Sequence, residues 1–283
     1  MEKYLKPIIP VLVFVFFQSV GFIGVLAYLL IRYADVRQAI MKGDVMSPLL
    51  QEYQTPTVLG VYLIVTGILT VCVLLMIKMA KSSTAFDTKS IDWKWAAIAV
   101  LAAVCGIFAT DILSEWLALP NLLEQQFTDL SSDVFGVLAV AIVGPVVEEI
   151  VFRESIIGPM IRDGFKPWTA ILVSSCLFGL IHLNPAQVPF AMIVGIILGV
   201  IYVKTGNVIV TSIVHIINNG TSVALMAIYG QEANDMTISD GIGVASIPLM
   251  LLLAAVSICL LCRFWKGYPS AAQIAGSGSS PLG

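Results

Sequence analysis

Val134-Phe-Gly-Val-Leu-Ala-Val-Ala-Ile-Val-Gly-Pro-Val-Val-Glu-Glu-Ile-Val-Phe-Arg153 is an apolar run of membrane-spanning length with two adjacent carboxylates and a guanidinium inside it. Placing one ionisable side chain near a bilayer centre costs at least about 2.5 kcal/mol on insertion scales. Glu148, Glu149 and Arg153 are therefore not neutral decoration. The two histidines of the chain, His182 and His215, and the amide Asn219 lie in later apolar stretches. A polar set held inside hydrophobic segments points to chemistry within a membrane.

The rest of the chain agrees. Of 283 residues, 58% are hydrophobic and 12% are charged, and the mean hydropathy is +0.95. Soluble domains carry about 25% charged residues. About 20 apolar residues cross a bilayer as a helix. Runs of that kind fall at 7–31, 57–79, 93–113, 134–160, 167–184, 187–204, 207–228 and 244–264. The expected fold is all-α, a polytopic membrane helical bundle of about eight transmembrane helices. The first run is too long for a signal peptide and is read as a retained helix.

Lys and Arg alternate along the loops. Lys3 and Lys6, then Lys78, Lys81, Lys89 and Lys94, then Arg162 and Lys166, then Lys204, then Arg263 and Lys266 mark one side. The third, fifth and seventh loops hold neither residue, and the first, with Arg32, Arg37 and Lys42, is the exception. By the positive-inside rule both termini are expected in the cytoplasm of a multi-pass plasma-membrane protein, and the compact chain leans toward a bacterial one. Four parts are expected: helices one to three with an interfacial segment (1–133), a catalytic core of helices four to seven (134–228), an outer loop and last helix (229–266), and a disordered tail (267–283). A net charge of −3 argues against a nucleic-acid partner. The five cysteines all sit in apolar runs and read as packing residues.

Three spacings carry the chemistry. Glu149 and Arg153 are one helical turn apart and can pair, while Glu148 is rotated by about 100° and faces elsewhere. An unpaired carboxylate in an apolar site suits a general base; the bland alternative is a structural charge cluster. Phe178 and His182 are one turn apart, and a lone histidine is more often a satisfied core residue. His215 and Asn219 share a face, with Asn218 pointing about 100° away. Together they can donate to an oxyanion, or simply tie two helices. Counted from the inner loops, Glu148, His182 and Asn219 lie at similar depths of about 20 Å.

Glu148-Glu-Ile-Val-Phe-Arg153, Phe178-Gly-Leu-Ile-His182 and His215-Ile-Ile-Asn-Asn219 resemble the EExxxR, FxxxH and HxxxN motifs of CPBP-type intramembrane proteases. This is the family of the CAAX-processing endopeptidase and its bacterial relatives. The likeness covers about residues 134–225. It implies a membrane-associated peptide or protein substrate, with Glu148 as the general base and His182 holding the water. His215 and Asn219 would stabilise the oxyanion. Glu149 and Arg153 would be a structural or substrate-positioning pair, with Phe178 in support. Glu154 departs from the pattern, where relatives usually have a small residue, and is expected to alter the cytoplasmic mouth of the site. The family has often been called metalloproteases. Glu148, His182 and His215 are possible zinc ligands by type, but HExxH is absent and a metal-independent glutamate mechanism is favoured. Two other readings stay open: a non-catalytic immunity or regulatory membrane protein on this scaffold, and an ion- or proton-coupled carrier.

Overall fold

A computed structural model describes residues 5–42, 53, 55–80, 86–230, 232 and 236–269. Lys3, Lys81 and the tail from 270 onward lie outside these residues. The described chain is helical, without strands. Its main helices are α1 (Ile8–Arg32), α2 (Ala34–Met41), α3 (Pro56–Met76), α4 (Trp93–Leu117), α5 (Glu124–Ser131), α6 (Val134–Arg162), α7 (Pro167–Leu180), α8 (Val188–Thr205), α9 (Val208–Tyr229) and α10 (Ser246–Gly267). Among the described residues seven segments are long and apolar enough to cross a membrane: α1, α3, α4, α6, α8, α9 and the stretch Ile238–Gly267 that contains α10. The chain is thus an all-α, multi-pass membrane protein.

The fifth expected span, 167–184, is shorter than the sequence suggests. Helix α7 stops at Leu180 after 14 residues, about 21 Å and short of a hydrocarbon core of about 30 Å. The cause is local. Leu183 takes a left-handed φ of 51°, and Asn184 precedes a proline, which disfavours helix at that position. The buried Asn184 is then held from across the bundle. Its Oδ1 accepts the Leu122 amide at 3.0 Å, and its Nδ2 donates to Asn121 Oδ1 at 2.8 Å. His182 therefore sits just beyond a helix end, not within a helix.

Helix α6 is the central element and is irregular. It is π-helical over Ala139–Val143 and again over Ile150–Ile157, with an α-helical stretch Gly144–Glu149 between them. Pro145 and Pro159 each lack an N–H for the ladder, which favours such wide turns. Neighbouring helices hold carbonyls of both wide turns. Ser174 Oγ of α7 donates to Phe152 O at 2.7 Å, and Asn219 Nδ2 of α9 donates to Val140 O at 3.1 Å. In a bilayer, where water cannot supply the missing partners, such donations make an irregular helix tolerable.

Two apolar clusters meet on α8. One gathers Val151, Phe152, Ile156 and Ile157 of α6 with Ile171 and Phe178 of α7 and Val200 and Tyr202 of α8. The other joins Ala96, Ala99, Ala103 and Ile107 of α4 to Leu198 and Ile201 of α8, Val210 and Val214 of α9 and Phe264 of α10. Close approach of α7 and α8 needs small residues. A Cβ on Gly195 would lie 3.1 Å from the Ser175 Cα, and one on Gly199 would lie 3.0 Å from Ile171 Cγ2. The turn between α8 and α9 is tight, with Gly206 at φ 64° and Asn207 capping α9 through the Ile209 amide at 2.8 Å. Helix α4 runs on to Leu117, beyond the expected break at 113, and α5 forms within the interfacial segment.

Candidate active site

Glu148 and Glu149 come from the short α-helical stretch of α6, and His215 comes from α9 to lie between them. His215 Nδ1 is 3.0 Å from Glu149 Oε1, and Nε2 is 3.5 Å from Glu148 Oε2. Since a carboxylate only accepts, the contact with Glu149 assigns the proton to Nδ1 and leaves Nε2 facing Glu148. The other Glu149 oxygen, Oε2, lies 3.2 Å from Arg153 Nε. The pairing of Glu149 with Arg153 thus forms across the start of the second wide turn. The contact between Glu149 and His215 was not visible in the helix spacing of either residue, because it joins two elements 66 residues apart.

Adjacency in sequence hides a difference in surroundings. The Glu149 side chain is 0% exposed, while that of Glu148 is 20% exposed. Glu148 lines a cavity of about 520 Å³, and Glu149 and Arg153 stand behind its wall. The volume lies within the range of about 300–1,000 Å³ usual for ligand clefts. Phe178, His182, His215 and Asn219 line the same cavity.

Phe178 is the hub of this wall. The Arg153 guanidinium carbon lies 4.6 Å from the ring centroid, a cation–π contact. The rings of His182 and His215 lie edge-on at 5.1 and 5.7 Å. The buried Arg153 has no hydrogen-bond partner among the described residues for its terminal nitrogens. The Phe178 face and the Glu149 charge are what compensate it.

His182 Nδ1 lies 2.8 Å from Phe178 O. That carbonyl accepts a hydrogen bond from Nδ1–H, which leaves Nε2 available. On α9, Asn218 does not turn away as the 100° rotation suggests. Its Nδ2 donates to Asn219 Oδ1 at 3.0 Å, and both amides line the cavity. Asn219, bonded to Val140 O as well, is held at both ends. Asn218 and Asn121 are polar residues of the cavity wall to which the three motifs give no role.

Glu154 does not reach the site. It is 2% exposed, accepts a hydrogen bond from the Tyr202 hydroxyl at 2.5 Å and is absent from the cavity wall. It ties α6 to α8. Among the described residues no group of three or more His, Cys, Asp or Glu side chains is placed to hold a metal ion. Glu148, His182 and His215 line the same cavity.

Residues 130–221 match the family model of the type II CAAX prenyl endopeptidase, Rce1-like. The chain is also similar to the membrane-embedded CAAX protease MroQ of Staphylococcus aureus (strain USA300), at 29% identity over 131 residues. These cover 44% of this chain and 53% of that protein, so the match spans about half the relative's length. No solved structure matches the chain. Both matches support the CPBP family, as the three motifs suggest.

Proposed function

For a multi-pass membrane protein carrying this CPBP-type segment, we propose intramembrane endopeptidase activity on a membrane-associated peptide or protein. One observation carries the reading: two adjacent carboxylates occupy opposite environments. Glu149 is fully buried and engaged by Arg153 and His215, and Glu148 opens on the cavity. Paired acids held in unlike surroundings are the usual basis for dividing catalytic roles.

In the proposed reaction Glu148 takes a proton from a water molecule, and the water oxygen attacks the scissile carbonyl carbon. The carbonyl oxygen becomes an oxyanion. Asn219 Nδ2 is its donor, with His215 one turn away on the same face of α9. Collapse of the tetrahedral intermediate breaks the C–N bond, and the leaving amine takes the proton from Glu148. Glu149 holds His215 through Nδ1, and His182 Nε2 is the group that orients the water. The mechanism uses no metal. Both termini are assigned to the cytoplasmic side, from the Lys and Arg alternation, which requires the short α7 with residues 181–184 to make an eighth crossing.

The test is cleavage of a fluorogenic membrane-peptide library by pure, reconstituted protein, with wild type and Glu148→Gln in parallel. Cleavage by wild type alone supports the reading. A folded, fully active Glu148→Gln protein refutes the base and moves the reading to a scaffold or carrier. Reporter fusions after residues 129 and 186 should mark the outer side. One at 165 reporting outside overturns the orientation.

A further inference from the structure

The cavity wall is charged with one sign. Glu124 and Glu148 line it, and no Lys or Arg does among the described residues. Glu148 is assigned to the water. Glu124 is different: it is exposed, on the first turn of α5, and lines the same cavity, which places it at the open rim. Its charged neighbours on that rim are few, because Asn121, Gln126, Gln187 and Asn218 are uncharged amides.

The chain around this end repeats the sign. Segment 118–133 contains Glu124, Asp129 and Asp133 and no Lys or Arg. The whole chain carries a net charge of only −3, so acidity is concentrated here. A cleft lined by one charge and backed by low-dielectric walls focuses that potential on what enters it. A substrate carboxylate at the rim would meet Glu124 with no cation to receive it. A substrate ammonium or guanidinium would be paired.

We propose that this cavity selects a cationic peptide segment, with Glu124 as the specificity-determining residue that receives a Lys or Arg beside the scissile bond. A free C-terminal carboxylate is disfavoured at the same rim. The inference rests on the endopeptidase reading for the substrate being a peptide. Glu124 also sits where a carboxylate favours a helix N-terminus. That role stabilises α5 without distinguishing one peptide from another, so the ratio between peptides separates the two.

The experiment uses full-length Glu148→Gln protein in zwitterionic nanodiscs, so that binding is read without hydrolysis. Fluorescent peptides share one apolar sequence with Lys, Gln or Glu flanking it, all amidated, and a fourth carries Gln with a free carboxylate. Binding is measured by anisotropy, with empty nanodiscs subtracted. The Lys peptide should bind about tenfold more tightly than the Glu peptide at low salt, and added salt should narrow the gap. The free-carboxylate peptide should bind more weakly than its amide. In the Glu124→Gln background the gap should shrink, and in Glu124→Lys it should reverse. Equal affinities, no binding of the Lys peptide, or a preference unchanged in Glu124→Lys would overturn the inference. Cleavage of the same peptides by protein with Glu148 intact reads the activity separately. Selective binding without cleavage counts against the peptidase reading alone. Cleavage without charge preference counts against this inference alone.

Discussion

Glu115 on α4 and Glu148 on α6 are both carboxylates of membrane-spanning helices, and the structure treats the two in opposite ways. On α4, Glu115 is fully used. Its oxygens accept the Ile238 and Ser239 amides at 2.9 and 3.0 Å and the Ser239 hydroxyl at 2.7 Å. The helix itself is regular, buries an alanine face and packs along α10. On α6 the helix is broken by two wide turns, and Glu148 keeps one side open to a cavity. A polar group whose hydrogen bonds are spent inside the protein holds the fold together. A polar group with capacity left over, on a backbone that has given up regularity to present it, is available for chemistry.

The largest expected effect tests that contrast directly. Glu148→Gln keeps the shape and removes the basicity, so turnover should fall by about 10²–10⁴-fold with thermal stability retained. Glu115→Gln should do the reverse, retaining cleavage while weakening charge-assisted bonds worth about 1.5–3 kcal/mol each. Equal loss of activity in both variants would erase the distinction. Asn219→Ala comes next. Loss of one oxyanion donor should lower kcat by about 10²–10³-fold, more than it raises KM. A pure KM effect would remove Asn219 from the reaction and leave it a tie to the Val140 carbonyl.

Arg153→Ala belongs on the structural side of the divide although it lies on α6. It leaves the buried Glu149 without its cation, a change that costs about 3–5 kcal/mol in comparable pairs. Lower yield and a lower melting temperature should accompany lower activity. A stable but inactive Arg153→Ala protein would assign the guanidinium to the substrate instead. The smallest expected effect is that of strong chelators, which should leave cleavage unchanged. Activity lost to chelation and restored by zinc in a one-to-one ratio would turn Glu148 and the histidines into ligands.

The apolar runs were legible because the cost of exposing a charge or an unpaired backbone group to lipid is set by local composition. The motif residues were legible for the same reason, since each stands out against its own segment. The fifth expected span is shorter than its composition suggests. Apolar composition continues past Leu180, while the left-handed Leu183 and the Asn184 clamp that end the helix depend on loop 118–123 folding beside it. The burial of Glu154 was not legible because its partner, Tyr202, belongs to another helix 48 residues away.

By itself the sequence determined that this is a membrane-embedded helical protein, which segments are apolar, and that Glu148, Glu149, Arg153, His182, His215 and Asn219 are exceptional within them. Only the tertiary structure decided who meets whom. His215 stands between the two glutamates, Phe178 lies under Arg153 and both histidines, and Asn218 braces Asn219. The physical reason is angular. A residue's place on its own helix follows from 100° per residue, but wide turns and an early helix end shift that register, and the facing partner is set by how neighbouring helices pack.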